Sequence, residues 1–64
     1  MPETSKKYLS PKEVEELFNI PATILEKWRY RKVGPEYLKL GKLVRYQTAE
    51  VEAWIERHKV RTMN

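Results

Sequence analysis

Apolar side chains fall into three groups at helical spacing: Val14, Leu17 and Phe18; Ile24, Leu25 and Trp28; Val51, Trp54 and Ile55. Residues three and four apart share one face of an α-helix, so each group predicts a short amphipathic helix with one side docked on a core. Between the second and third groups, Tyr37-Leu-Lys-Leu-Gly-Lys-Leu-Val-Arg-Tyr46 has no helical period and reads as two short strands around Gly41. The chain is organised around the second helix, Ile20 to Arg31. Ile24, Leu25 and Trp28 lie within about 100° of one another on a helical wheel. The opposite side carries Ala22, Thr23, Glu26, Lys27 and Tyr30, short or hydrogen-bonding side chains of the kind that fits a DNA major groove. Arg29 and Arg31 flank it, where a guanidinium can reach a phosphate. A solvated amphipathic helix has the same outline, so the neighbouring elements carry the distinction.

Those neighbours are well punctuated. In Leu9-Ser10-Pro11-Lys12-Glu13-Val14, Ser10 is an N-cap, and Pro11 sits at the first helical position, where its missing N–H costs nothing. Glu13 completes a capping box, and Leu9 can staple onto Val14. The helix should stop near Phe18 or Asn19, because Pro21 disfavours helix at the residue before it. Asn19-Ile20-Pro21 is then a tight link anchored by Ile20, and Pro21 opens the second helix, which should end around Lys32 or Val33 ahead of Gly34-Pro35. Two short amphipathic helices across such a link have the outline of a helix-turn-helix, one that other helical hairpins share.

The strand pair has two possible registers. A two-residue loop, Gly41-Lys42, suits a type II′ turn but sets Leu38 beside Arg45 on one face. A three-residue loop, Gly41 to Leu43, puts Leu38, Leu40, Val44 and Tyr46 on one face and Lys39 and Arg45 on the other. The second is preferred, because a strand with one buried face must sort its side chains. A lone hairpin is unstable in water, so it should lie on the helices as a wing. Thr48 is read as the cap of the third helix, with Glu50 near its positive end and fraying expected near His58.

Sixty-four residues make one domain with a small core. The expected division is a flexible N-terminus at 1–7, a domain at 8–58 and a C-terminal tail at 59–64. The absence of cysteine excludes disulfides and thiolate metal sites and fits a reducing cytoplasm. No apolar run has the length of a membrane span, and no stretch reads as a signal peptide. The net charge of +4 is a modest excess, but its distribution is uneven. Lys27 to Arg45 holds seven basic residues and one acid, Glu36, whereas six of the nine acids lie on the first and third helices. The middle of the chain is the basic side of the molecule.

Tyr8-Leu-Ser-Pro-Lys-Glu-Val14, Ile20 to Trp28, Gly34-Pro35-Glu-Tyr-Leu-Lys-Leu-Gly-Lys-Leu-Val-Arg-Tyr46 and Val51-Glu-Ala-Trp54 together resemble the excisionase-like, MerR-like winged helix-turn-helix proteins. The resemblance spans about residues 8 to 57. Its most specific pieces are the wing and the closing Val51-Glu-Ala-Trp54. It implies an α+β, mostly α, fold and a small phage- or bacterium-encoded protein on nucleoid DNA. Such proteins are recombination directionality factors, or alternatively small phage or plasmid transcription regulators. It further implies that the second helix occupies the major groove and the wing the adjacent minor groove, with Thr23 and Lys27 at base-contacting positions. Lys39, Lys42 and Arg45 are the expected phosphate contacts of the wing. A tyrosine integrase is the implied partner, several copies are expected on adjacent DNA sites, and no cofactor is implied.

Several of these residues admit a second reading. Trp28 and Trp54 resemble base-stacking groups, but both lie on apolar faces, as core residues do. Tyr30 suits a phosphate contact or plain solvent equally. His58, with no cysteine or second histidine, fits the negative end of a helix better than a metal. No phosphate-cradling loop, nucleophile–base pair or paired carboxylates point to an enzyme. A protein-interaction module using the acidic faces of the first and third helices is the reading without DNA.

Overall fold

The computed structural model describes residues 6–60. In chain order these form β1 (Tyr8–Leu9), α1 (Pro11–Phe18), α2 (Ala22–Arg31), β2 (Leu38–Leu40), β3 (Leu43–Gln47) and α3 (Thr48–Arg57). The fold is a helix-turn-helix carrying a strand hairpin and a closing helix, as the pattern predicts. The sheet has three strands, antiparallel, in the order β1-β3-β2.

α1 begins as its sequence dictates. The Glu13 amide donates to Ser10 Oγ at 3.1 Å, and the Ser10 amide donates to Glu13 Oε1 at 2.8 Å, closing the capping box. It ends at Asn19, which takes a left-handed conformation (φ 61°) and donates its amide to Glu15 O at 2.8 Å. Asparagine tolerates that conformation better than other side chains, so the chain reverses there without glycine.

The core is Leu9, Val14, Leu25, Tyr46 and Val51, with Phe18, Ile20, Trp28, Val44 and Ile55 packed around it. Each helix and the inner strand supplies one fully buried anchor. Leu17 and Ile24 depart from the expected pattern. Leu17 is 43% exposed, and Ile24 is half-buried outside the cluster. Leu25 alone, one position on, fills the centre.

Three expectations fail for tertiary reasons. The wing is not a lone hairpin, because β1 pairs with β3, Tyr8 opposite Gln47 and Leu9 opposite Tyr46. Just before β1, Lys7 O accepts the Thr48 amide at 2.9 Å; of the N-terminal segment 1–7, residues 1–5 lie outside the described part. Thr48 does not cap α3. Gln47 holds the N-cap position without a side-chain bond, and the Thr48 hydroxyl instead donates to Lys6 O at 2.8 Å.

The wing adopts the two-residue loop, with Leu38 opposite Arg45, Lys39 opposite Val44 and Leu40 opposite Leu43. Gly41 has φ +63°, and Lys42 is not among the positive-φ residues, the sign pattern of a type II′ turn. Tyr46, 1% exposed, fixes which side of β3 faces the core. Leu38, Leu40, Leu43 and Arg45 therefore share the outer face, and Lys39, Val44 and Tyr46 the inner one. The rule that apolar residues are sorted to one face presumes a buried face. β2 has none: all three of its residues are exposed.

Candidate nucleic-acid interface

Pro21, as the N-cap of α2, has no side-chain oxygen to offer the first amides. Its carbonyl accepts from Ile24 and Leu25, and the free Ala22 amide is taken by Glu15 Oε1 of α1 at 3.2 Å. A carboxylate at a helix N-terminus also suits the dipole. The start of α2 is thus held by α1 through a cap that no short-range sequence rule reaches, since the two residues are seven apart.

The other end is closed by a Schellman motif. Lys32, left-handed at φ 60°, donates to Arg29 O, and Val33 donates to Trp28 O at 2.9 Å. Gly34, expected only as a stop signal, has a tighter role. At φ +90° its α-carbon lies under the Trp28 ring, and a Cβ there would come within 2.9 Å of Trp28 Cε3. Trp28 packs against Trp54 with ring centroids 5.0 Å apart, and Trp54 stacks on His58 at 4.0 Å. The two tryptophans therefore meet each other at the foot of α3. His58 Nδ1 lies 2.8 Å from Trp54 O, among the last carbonyls of α3.

Held at both ends, α2 turns Thr23, Glu26, Lys27, Tyr30 and Arg31 to solvent, while Ala22 is half-buried. Tyr30 is 88% exposed. Glu26, Lys27, Tyr30 and Arg31 line one shallow hollow, with Thr23 a turn before Lys27 on the same face. Arg29 is placed differently from its expected flank position. It is half-buried, donates to the Tyr46 hydroxyl at 2.9 Å and lies over the Tyr37 ring. This pair anchors α2 to the sheet. Arg29 also borders a second hollow with Lys32, Gly34 and Tyr37.

On the wing, Lys42 is exposed in the loop and Lys39 is exposed on the inner side of β2. Arg45 is half-buried on the outer side and donates to Val44 O at 2.7 Å. Lys39 and Arg45 were expected together on one face; the observed register sends them to opposite faces. Ala22, Thr23, Glu26, Lys27, Tyr30 and Arg31 come together on α2, and Lys39, Lys42 and Arg45 encircle the wing tip.

Among the described residues one ionisable group is clearly perturbed, and it lies away from this surface. Glu13 is held below the ordinary carboxylate value, first by the hydrogen bond from Lys6 and then by the Ser10 amide. Among the described residues no cluster of His, Cys, Asp or Glu could hold a metal ion, and no helix is long and apolar enough to cross a membrane.

Helix-turn-helix domains are defined by this pair of helices and the presentation of the second. The chain belongs to the helix-turn-helix domain family, whose model matches residues 8–59 and which includes excisionase-like small DNA-binding proteins. No curated protein and no solved structure matches the chain. Membership supports DNA as the partner, in a family that is typically non-enzymatic.

Proposed function

We propose that this domain binds duplex DNA with α2 in the major groove and the wing beside it, and that it serves as an excisionase. In that role it bends an attachment site and steers a tyrosine integrase toward excision. The observation that carries DNA binding is the exposed face of α2. Thr23, Lys27, Tyr30 and Arg31 project from a helix whose ends are fixed by Glu15 and by the Schellman turn. Phosphate contacts from the basic middle of the chain supply most of the affinity, and Thr23 and Lys27 read bases. The excisionase role draws on the resemblance of the wing and the closing Val51-Glu-Ala-Trp54.

α2 is ten residues, about 15 Å long, so one copy covers a short site and several copies on adjacent sites fit the task. The tail from Lys59 onward is the segment assigned to the integrase. Deleting residues 59–64 should leave the melt and single-site binding unchanged but impair excision; full excision without them removes the tail from that role.

The test of the whole reading has two stages. Binding to duplexes across a range of salt should weaken steeply as salt rises, because phosphate contacts release counterions. If an integrase gene lies beside this one, excision and integration are then measured with that integrase, with and without the protein. Stimulated excision supports the proposal. No effect on recombination, together with control of a neighbouring promoter, would make the protein a transcription regulator of the same fold.

A further inference from the structure

The observed wing register leaves an apolar surface that neither the core nor the proposed readout by α2 uses. Leu38, Leu40 and Leu43 are 36%, 55% and 53% exposed and share the outer face of the hairpin. Leu40 and Leu43 are cross-strand partners that bracket the two-residue loop, so the tip of the wing is a pair of leucines around Gly41-Lys42. Three exposed leucines in so short a hairpin need an occupant.

Charge identifies its chemistry. From Tyr37 to Gln47 there is no acid; Lys42 lies in the loop between Leu40 and Leu43, Arg45 shares the leucines' face beside Leu38, and Lys39 lies on the opposite face. An occupant that is apolar at its centre and anionic along both margins fits this pattern. A DNA minor groove kinked open at one step has that form, with sugar walls and the uncovered faces of the unstacked bases between two rows of phosphates. A second copy of the wing fits poorly. Lys42 and Arg45 of the two copies would face each other, and three leucines fall far short of the roughly 1,200 Å² or more that a stable interface buries. Only the tip, the two-residue loop with its flanking leucine pair, need enter the groove, which opens when a step is kinked.

We propose that the wing tip is a minor-groove wedge: Leu40 and Leu43 press into the groove and unstack a base step, while Lys42 and Arg45 hold the flanking phosphates. This rests on the DNA-binding reading above and assigns the bend to particular side chains. Flexible pyrimidine–purine steps, which unstack most readily, are the preferred position under the tip.

The experiment uses the full chain and a duplex of about 30 base pairs selected by the wild type from a random pool, with a dye at each end to report bending. Leu40→Ser/Leu43→Ser changes two side chains that are more than half exposed, so its melt should match the wild type. The variant should bind about tenfold or more weakly and leave the duplex unbent, with the salt dependence unchanged. Leu40→Met/Leu43→Met, which keeps apolar length, should restore both. If the double serine variant melts early, Leu43→Ser alone repeats the measurement. Wild-type affinity and bending in the serine variants would overturn the wedge, as would a wild type that self-associates without DNA through these leucines. Salt-dependent binding by the wild type with an unaltered serine variant removes the wedge alone. Absence of salt-dependent binding by the wild type removes the DNA reading and the wedge with it.

Discussion

Single residues divide by whether their role is local or brought in from elsewhere in the chain. Lys27 is exposed one helical turn after Thr23, near the start of α2, the part of a recognition helix that reaches base edges. As a donor to guanine O6 and N7 it should be worth about 1–3 kcal/mol of discrimination. Lys27→Ala should therefore weaken binding to a selected duplex more than to a scrambled one at the same salt. Equal loss on both would reduce Lys27 to a phosphate contact. Lys32 poses a stability question instead. It is held left-handed at φ 60° in the turn that ends α2, a conformation costing an ordinary L-residue roughly 1–2 kcal/mol. Glycine removes that strain but has more freedom to lose on folding, roughly 0.5–1 kcal/mol. Lys32→Gly should gain about 0.5–1 kcal/mol, seen as a higher denaturant midpoint at unchanged slope. A lower midpoint would mean that the lysine side chain stabilises the turn.

Among the elements, α1 obeyed local rules and the wing did not. The capping box of α1, its staple between Leu9 and Val14, and the Asn19–Pro21 link were all legible, because each depends on residues within about one turn of one another. The wing register was not. Its parity is set by Tyr46, buried against the helices and paired with Leu9, and both constraints come from outside the hairpin. Sorting of apolar and polar residues then misled, since the tip extends beyond the core and has no buried face to sort toward. A hairpin tip can present charge from either face, so the phosphate contacts proposed for Lys42 and Arg45 do not depend on the register. Neutralising Lys42 and Arg45 together should lower the slope of log affinity against log salt by about one to two units, one for each phosphate released. An unchanged slope would remove the wing from the phosphate backbone.

At the scale of the molecule, the N-terminal arm is what closes the sheet. Lys6 and Lys7 meet Thr48 through their carbonyls, and the Lys6 ammonium pairs with Glu13 on α1. The pair and the Ser10 amide depress the Glu13 pKa in the folded state. A carboxylate with a depressed folded pKa stabilises above its unfolded value, and that contribution is lost as pH falls through the folded value. Glu13→Gln keeps an acceptor for the Ser10 amide but not the charge. The wild type should therefore melt above Glu13→Gln at neutral pH, and the gap should close as pH drops through and below the ordinary carboxylate range near 4. A gap constant from neutral pH to about pH 3 would show that the charge of Glu13 does not contribute to folding.

By itself, the order of residues determined the helix-turn-helix, the capping box of α1, the existence of a hairpin around Gly41, and the polar face of α2. These follow from side-chain periodicity and from hydrogen bonds that close within a few residues. Tertiary structure decided what depends on groups distant in sequence. Glu15 caps α2, Arg29 binds the Tyr46 hydroxyl, and Trp28 lies between Trp54 and the bare α-carbon of Gly34. Thr48, a capping residue by local preference, spends its hydroxyl on the N-terminal arm, a partner that exists only once β1 has docked. The face on which the wing's leucines lie was decided the same way. A strand's local pattern permits either register, and burial of one tyrosine in a core assembled from all three helices and the N-terminal strand selects between them.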